Sequence, residues 1–346
     1  GLSQSVINTI IQDKRGFLWF GTQEGLNRYD GYEFKKFYHD PQNPNSMSAK
    51  HINYLIEQKD AKVLWIGTEG GGLDRFDLET QEFRHYQHIP DDSTSLSSNF
   101  ITGLEFSSSG YLWAATNQHG LNRLDLTTGH IKQYHFQKNN EKSISSEGVT
   151  TLFNDSQGRL WVGLNTAVLE RYDAENEQFI HFSFQDKFDS EFILDIVEIN
   201  NKLWLATNKS ILIYDPEKER IESFTGKTEG LPPDFRVEKL CVESVDYLWA
   251  AAVEKGLYLF DLKNKTYHNF AFNPSDPFGI SNNIIGDIYK DTIGNIWIGT
   301  RGTGIDAIKK RNKNFYIYQH SSINPFSISH NNIWQIYEDP DFPGKI

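Results

Sequence analysis

Two histidines three residues apart, His85 and His88 in the segment HYQH, have the spacing that on a helix would turn both imidazoles toward one metal ion. On a strand the same spacing sends the two side chains to opposite faces, so the element type decides the reading. The segments 39–48 (HDPQNPNSMS) and 90–97 (PDDSTSLS) carry many of the oxygen-bearing residues of calcium loops. They lack the alternating Asp/Asn core closed by Gly and the distal Glu that such loops need. They read more simply as connections in which Pro, Asn and Ser end strands. With 46 acidic residues and 11 histidines, chance pairs must occur, and neither a Gly–x–Ser–x–Gly elbow nor an ordered Ser–His–Asp set is present. The single cysteine, Cys241, excludes an internal disulfide and a Cys-based zinc site. No catalytic residue, metal or cofactor is expected.

What positions any site must come from the rest of the chain. Its 346 residues suffice for one large all-β domain, and 14% of them are aromatic. Charged residues at 23% and apolar ones at 38% are the profile of a globular protein. No apolar run approaches the roughly 20 residues of a membrane helix, so no direct membrane contact is expected. The formal net charge of −12 argues against a nucleic-acid surface, which needs clustered Lys and Arg.

The informative signal is repetition. Tryptophans stand at 19, 65, 113, 161, 204, 249 and 297, inside FLWFGT, VLWIGT, YLWAAT, RLWVGL, KLWLAT, YLWAAA and NIWIGT. A few residues on comes GLNRYD, GLDRFD, GLNRLD, VLERYD, SILIYD, GLYLFD and GIDAIK. An apolar run precedes each Trp, and a run of alternating aromatics such as YEFKKFY closes each repeat. Tight turns such as DKRG, DSQG and DTIG join the first two segments, where Asp can bond its own backbone and Gly supplies a positive φ. Four antiparallel segments at a period of 43 to 48 residues give an all-β seven-bladed β-propeller of four-stranded blades. The blades are expected at roughly 1–38, 48–87, 96–136, 145–183, 191–225, 234–271 and 280–319, with residues 321–346 beginning an eighth repeat.

On this plan the seven tryptophans are core, packed between blades. Four Arg–x–Asp pairs (Arg28/Asp30, Arg75/Asp77, Arg123/Asp125 and Arg171/Asp173) lie on one strand face and are expected as structural ion pairs linking neighbouring blades. The variable loops between second and third segments, with the inter-blade links, are expected on one face around the central channel. Irregular loops on a regular scaffold are where a ligand would bind. The candidates are Gln23, Glu24, Glu69, Asn117, His119, Asn165, Asn208, Lys209, Glu254, Lys255 and Arg301, with Lys50, His51 and Arg236 from the links.

The stretches GLSQSVINTIIQDKRGFLWFGTQEGLNRYDGYEFKKFY (1–38) and NNIIGDIYKDTIGNIWIGTRGTGID (282–306) resemble repeats of the two-component regulator propeller family, and the resemblance extends over essentially the whole chain. Blades five and six depart from it by losing the Gly–Thr or the Arg. The resemblance implies the extracytoplasmic (periplasmic) part of a bacterial membrane-anchored receptor whose output is a histidine kinase or a related domain. It implies as partners a further propeller and an Ig-like module of the same chain, a homodimer in the whole receptor, and a small-molecule or oligosaccharide ligand. The closing segment SISHNNIWQIYEDP repeats GISNNIIGDIYKDT at a shift of 48, so the tail is expected to lead into a second propeller rather than to close this ring. The function expected is ligand sensing without catalysis. The alternatives are a propeller lyase or glycosidase, which would need converging carboxylates or a histidine pair, and a pure interaction scaffold.

Overall fold

The computed structural model describes residues 1–188, 192–225, 228–232, 235–276 and 278–310. Seven antiparallel sheets follow one another along the chain, six of four strands and a seventh of three among the described residues. Each is a meander in sequence order; the first holds Ile7–Gln12, Leu18–Thr22, Gly25–Tyr29 and Phe34–Phe37. The expected continuation, the closing strand of blade 7 and the eighth repeat, lies outside the described residues. A short helix, Gln185–Phe188, stands in the link from blade 4 to blade 5.

The inner strands are Ile7–Gln12, Ile52–Gln58, Ile101–Phe106, Val149–Asn154, Ile193–Ile199, Val237–Val242 and Ile285–Lys290, and each packs on the inner strand of the next blade. What sets their spacing is the glycine two residues after the tryptophan. A Cβ on Gly21 would stand 2.6 Å from Ile52 of the next blade, one on Gly67 2.6 Å from Ile101, and one on Gly299 2.6 Å from Ile7. Only hydrogen, or the methyl of Ala115, Ala206 and Ala251 where the repeat varies, leaves room for that aliphatic side chain. The Ile7–Gly299 contact brings blade 7 against blade 1 and closes the ring.

The tryptophans occupy equivalent places beside this contact. Six are buried and Trp297 is half-buried, its face shared with Phe20 and Tyr29 of blade 1. In blades 1, 4 and 7 the turn aspartate explains the motif. Asp13, Asp155 and Asp291 accept two turn N–H groups on Oδ1 and the indole N–H of Trp19, Trp161 and Trp297 on Oδ2, at 2.9, 2.8 and 2.9 Å. One buried carboxylate thus fixes a turn and the largest core side chain together. Gln58 substitutes in blade 2 at 3.1 Å, whereas the indole N–H groups of Trp113 and Trp249 have no partner among the described residues.

The Arg–x–Asp pairs are not the ion pairs expected. The aspartates turn back on their own hairpins: Asp30, Asp77, Asp125 and Asp173 each accept the two N–H groups that open the third-to-fourth-strand turn. These backbone donors hold the carboxyls of Asp30, Asp77 and Asp125 below the usual range. Three of the four arginines lie over rings instead, among them Arg28 at 4.4 Å from the Phe17 centroid and Arg171 at 5.9 Å from that of Trp161. Arg123 does cross a blade boundary, reaching Glu177 at 3.0 Å and Tyr172 Oη at 2.9 Å, but its partner is not the motif's aspartate. Residues two apart on a strand share a face, yet an aspartate at the strand end finds nearer donors in its own turn.

Two consequences can be measured. Replacing Asp155 with Ala strips a buried indole, two backbone N–H groups and the Arg159 guanidinium of their acceptor. It should lower stability to urea by about 2–4 kcal/mol, whereas Ser107→Ala at the equivalent turn of blade 3 should cost under about 1 kcal/mol. Equal losses would show that the carboxylate does not organise the blade. Glu105, opposite Trp113 on an inner strand, has its carboxyl pushed up to about 7 by burial, against the N–H groups of Phe106 and Asn154. An acid whose folded pKa exceeds its unfolded value near 4.3 favours the fold when protonated, and that contribution fades as pH rises through about 7. The melting temperature should therefore fall between pH 5 and pH 8 and fall about 1–3 °C less in Glu105→Gln. A variant with an unchanged pH profile would contradict the assignment.

Candidate functional site

In five blades a threonine ends the second strand, and its hydroxyl turns onto the carbonyl of a residue at or just before the start of the third. Thr22 to Gly25, Thr68 to Gly72, Thr116 to Gly120 and Thr300 to Gly304 span 2.8 to 3.0 Å. The next residue donates its N–H to the carbonyl preceding the inner strand of its own blade: Glu69 to His51, Asn117 to Phe100, Asn165 to Gly148, Asn208 to Phe192, Val253 to Arg236 and Arg301 to Ile284. Loop and link are thereby held side by side, and the fold gathers both onto one rim.

The axial cavity below that rim encloses about 630 Å³ and is lined by residues of all seven inner strands. Of the fourteen candidates, Gln23, His51, Glu69 and Arg301 line it. His51 Nδ1 and Glu69 stand 2.9 Å apart. Arg301 lies 3.5 Å from Glu238, which also holds Arg236 at 3.1 Å, so a carboxylate between two guanidinium groups marks the rim at blades 6 and 7. The other ten candidates stand on the rim without lining the cavity. Lys50 and Glu24 pair at 3.7 Å. His119 turns back to the carbonyl of Asn117 at 2.7 Å, and Asn165 accepts Ser146 Oγ at 2.8 Å. Asn208 accepts the N–H of Phe192 at 2.7 Å, while the N–H of Lys209 bonds Thr207 at 3.2 Å. Glu254 sits at a turn with φ of 58°, and the Lys255 carbonyl accepts Asn269 at 3.0 Å.

The cavity wall holds what the loop-based reading missed. Every inner strand pairs with its second strand through a register shift after its first residue, as between Ile7 and Thr9 or Ile285 and Asp287. This bulge places two residues of each blade at the axis. The first is Asn8, Asn53, Thr102 and Thr150 in blades 1 to 4, each donating from its side chain to the inner-strand carbonyl of the next blade: Ile52, Ile101, Val149 and Ile193. Blades 5 to 7 have Leu194, Glu238 and Gly286 there. The second is Thr9, Tyr54, Gly103, Thr151, Asp195, Lys239 and Asp287, so all its charge is on three adjacent blades. Asp195 Oδ2 accepts the N–H of Leu240 at 2.8 Å, and Asp287 Oδ2 that of Ile10 at 2.7 Å, carrying the blade-to-blade link one residue deeper.

Lys239 Nζ lies 3.6 Å from Asp195 Oδ1 and 5.8 Å from the Tyr54 ring centroid. Burial pushes the Asp287 carboxyl up to about 6 against the pull of Lys239, and raises Asp195 likewise. Burial pulls the Lys239 ammonium down, but Asp195 and Asp287 outweigh it and the net shift is upward. A signal for this cluster did exist in the sequence: ILDIVEI, VEKLCV and IGDIYK put charges into strands otherwise packed on both sides. The two histidines that suggested a metal are engaged elsewhere, His85 with Asp74 at 2.7 Å and His88 with the Leu96 carbonyl at 2.7 Å. The calcium-like links are self-bonded turns, with Asp40 capping Gln42 and Asp92 capping Thr94.

The family model described as "two component regulator propeller" matches residues 1–24, 143–166 and 279–302. These are the openings of blades 1, 4 and 7, the three in which an aspartate holds the indole N–H. Histidine kinase P4 of Formosa agariphila is 50% identical over 48 residues, 14% of this chain and 4% of that protein. Among solved structures, the extracellular domain of a protein assigned as a hybrid two component system of B. thetaiotaomicron is 28% identical. It superposes with a TM-score of 0.76 over 95% of this chain and 43% of its own. A second such domain from the same organism shares 19% identity at a TM-score of 0.73, over 89% of this chain and 38% of its own. Virginiamycin B lyase from Staphylococcus aureus, at 15% identity and a TM-score of 0.65 over 87% of this chain and 94% of its own, shares the fold alone. The chain spans less than half the length of both extracellular domains. Repeat, register and likeness agree: three stretches of the chain match the two component regulator propeller model, and the fold is similar to part of the extracellular domain of a protein assigned as a hybrid two component system.

Proposed function

We propose that this propeller is a non-catalytic, ligand-sensing module on the extracytoplasmic side of a membrane-bound signalling receptor, with a histidine kinase or related output domain. The observation that carries the reading is the 28% identity, across 95% of the chain, to an extracellular domain of that class. The rim supports it: a polar, mixed-charge ring of loops differing from blade to blade on an invariant backbone frame suits recognition by hydrogen bonds. At the rim Arg236 and Arg301 share Glu238, and His51 Nδ1 lies 2.9 Å from Glu69, so fixed polar groups stand ready to hold a hydrogen-bonding ligand. In this reading the partners are a further propeller and an Ig-like module of the same chain, a second copy of the receptor, and a small-molecule or oligosaccharide ligand at the rim.

The test uses the whole receptor with its signalling output as readout. Asn117→Ala with His119→Ala, and separately His51→Ala with Arg301→Ala, should each reduce ligand-dependent output at least tenfold. The first pair is exposed and makes only local contacts, so its melting temperature should stay within about 2 °C of wild type. Full output from both double variants would mean that no ligand is read at this rim, leaving the propeller a spacer or dimer contact.

A further inference from the structure

The two halves of the cavity wall do the same mechanical task with different chemistry. Blades 1 to 4 reach the next blade with neutral Asn and Thr side chains, whereas blades 5 and 7 do so with carboxylates. Neutral groups suffice for that link, and a partly buried carboxylate costs desolvation that Asn or Thr avoids. Charge in this half is therefore more than the fold requires.

That charge is also unbalanced. Lys239 pairs with Asp195 at 3.6 Å, while Asp287 has no cation within ion-pair reach among the described residues. At the rim, Glu69 and Arg301 offset one another in sign, so the wall is left with one uncompensated negative charge. Around it stand hydroxyls of Thr9, Tyr54 and Thr151, which line the cavity and make no side-chain hydrogen bond among the described residues. A cavity of about 630 Å³ with a single excess anion and unused hydroxyls is complementary to a compact polar cation.

We propose that the axial cavity binds small organic amines, the ligand's ammonium resting on Asp287 and its remaining polar atoms on the hydroxyls of Thr9, Tyr54 and Thr151. This goes beyond the receptor reading and concerns the isolated domain, so it stands or falls separately from any loss of signalling. Binding would bring the compensating charge that the described residues lack and bridge blades 7, 1, 2 and 4 across the axis.

The test is a thermal-shift and calorimetric titration above pH 7 with three probes sharing a four-carbon backbone: 4-amino-1-butanol, 1,4-butanediol and succinate. The amino alcohol alone should raise the melting temperature of the wild-type domain. Asp287→Asn can still accept the Ile10 N–H through its amide oxygen, so the ring should persist while amino-alcohol affinity falls at least tenfold. Lys239→Gln removes the competing ammonium and should tighten amino-alcohol binding, which a merely structural lysine would not do. The proposal is overturned if the amino alcohol gives no shift at millimolar concentration, if butanediol or succinate matches it, or if Asp287→Asn binds like wild type. A failure of Asp287→Asn to fold passes the decision to Lys239→Gln, where weaker or unchanged binding overturns it.

Discussion

The contact of an inner-strand aliphatic side chain with the glycine or alanine of the preceding blade governs everything above it. It fixes how closely two twisted sheets stack, and repeated seven times it fixes the width of the axial cavity. Beside it each tryptophan fills the wedge that opens as blades diverge from the axis, so the indole is sized by the glycine. Even a methyl at Gly21 or Gly299 would drive Ile52 or Ile7 outward and widen every layer beyond.

Polar groups are then spent on joining strands within a blade and blades to one another. The buried turn aspartates, the third-strand Asn27, Asp74, Asn122, Glu170 and Asp306 that receive the N–H of the link serine, and the Asn and Thr clamps at the axis are all single side chains satisfying main-chain groups. Blades 5 and 6 have Leu212 and Tyr258 at the third-strand position, and two of the three charged axial residues, Asp195 and Lys239, are theirs. Departure from the repeat and concentration of charge coincide in the same sector, as expected where a regular scaffold gives way to a specific task.

Architecture was legible because tryptophan, glycine and turn aspartate recur in register, and each leaves a mark in the sequence. The rim was legible in outline: loop position follows from the meander, so Gln23, His51, Glu69 and Arg301 could be placed near the axis. Their pairings could not, since Arg301 meets Glu238 across 63 residues of chain. The wall charges were hidden by the bulge. Alternation with a period of two assigns faces only in an unbroken ladder, and a register shift after the first residue of each inner strand puts consecutive residues at the axis. The Arg–x–Asp reading failed for a different reason: it took a shared strand face as contact and overlooked the two turn N–H groups beside each aspartate.

The seam between blades 7 and 1 joins the two sequence ends of the described ring. Asp287 meets the N–H of Ile10 across 277 residues, and Gly302 and Gly304 donate to Ser5. Every other blade boundary forms between neighbours in the chain, so closing this one carries nearly the whole loop-closure entropy of the ring. In kinetic terms the stacked blades can assemble as an open arc, with the seam as the late, slow and first-reversed event. Amide protons at Ile10 and Gly304 would then exchange through seam opening alone, at a lower free energy than those beneath Trp113 or Trp161 in the middle of the arc.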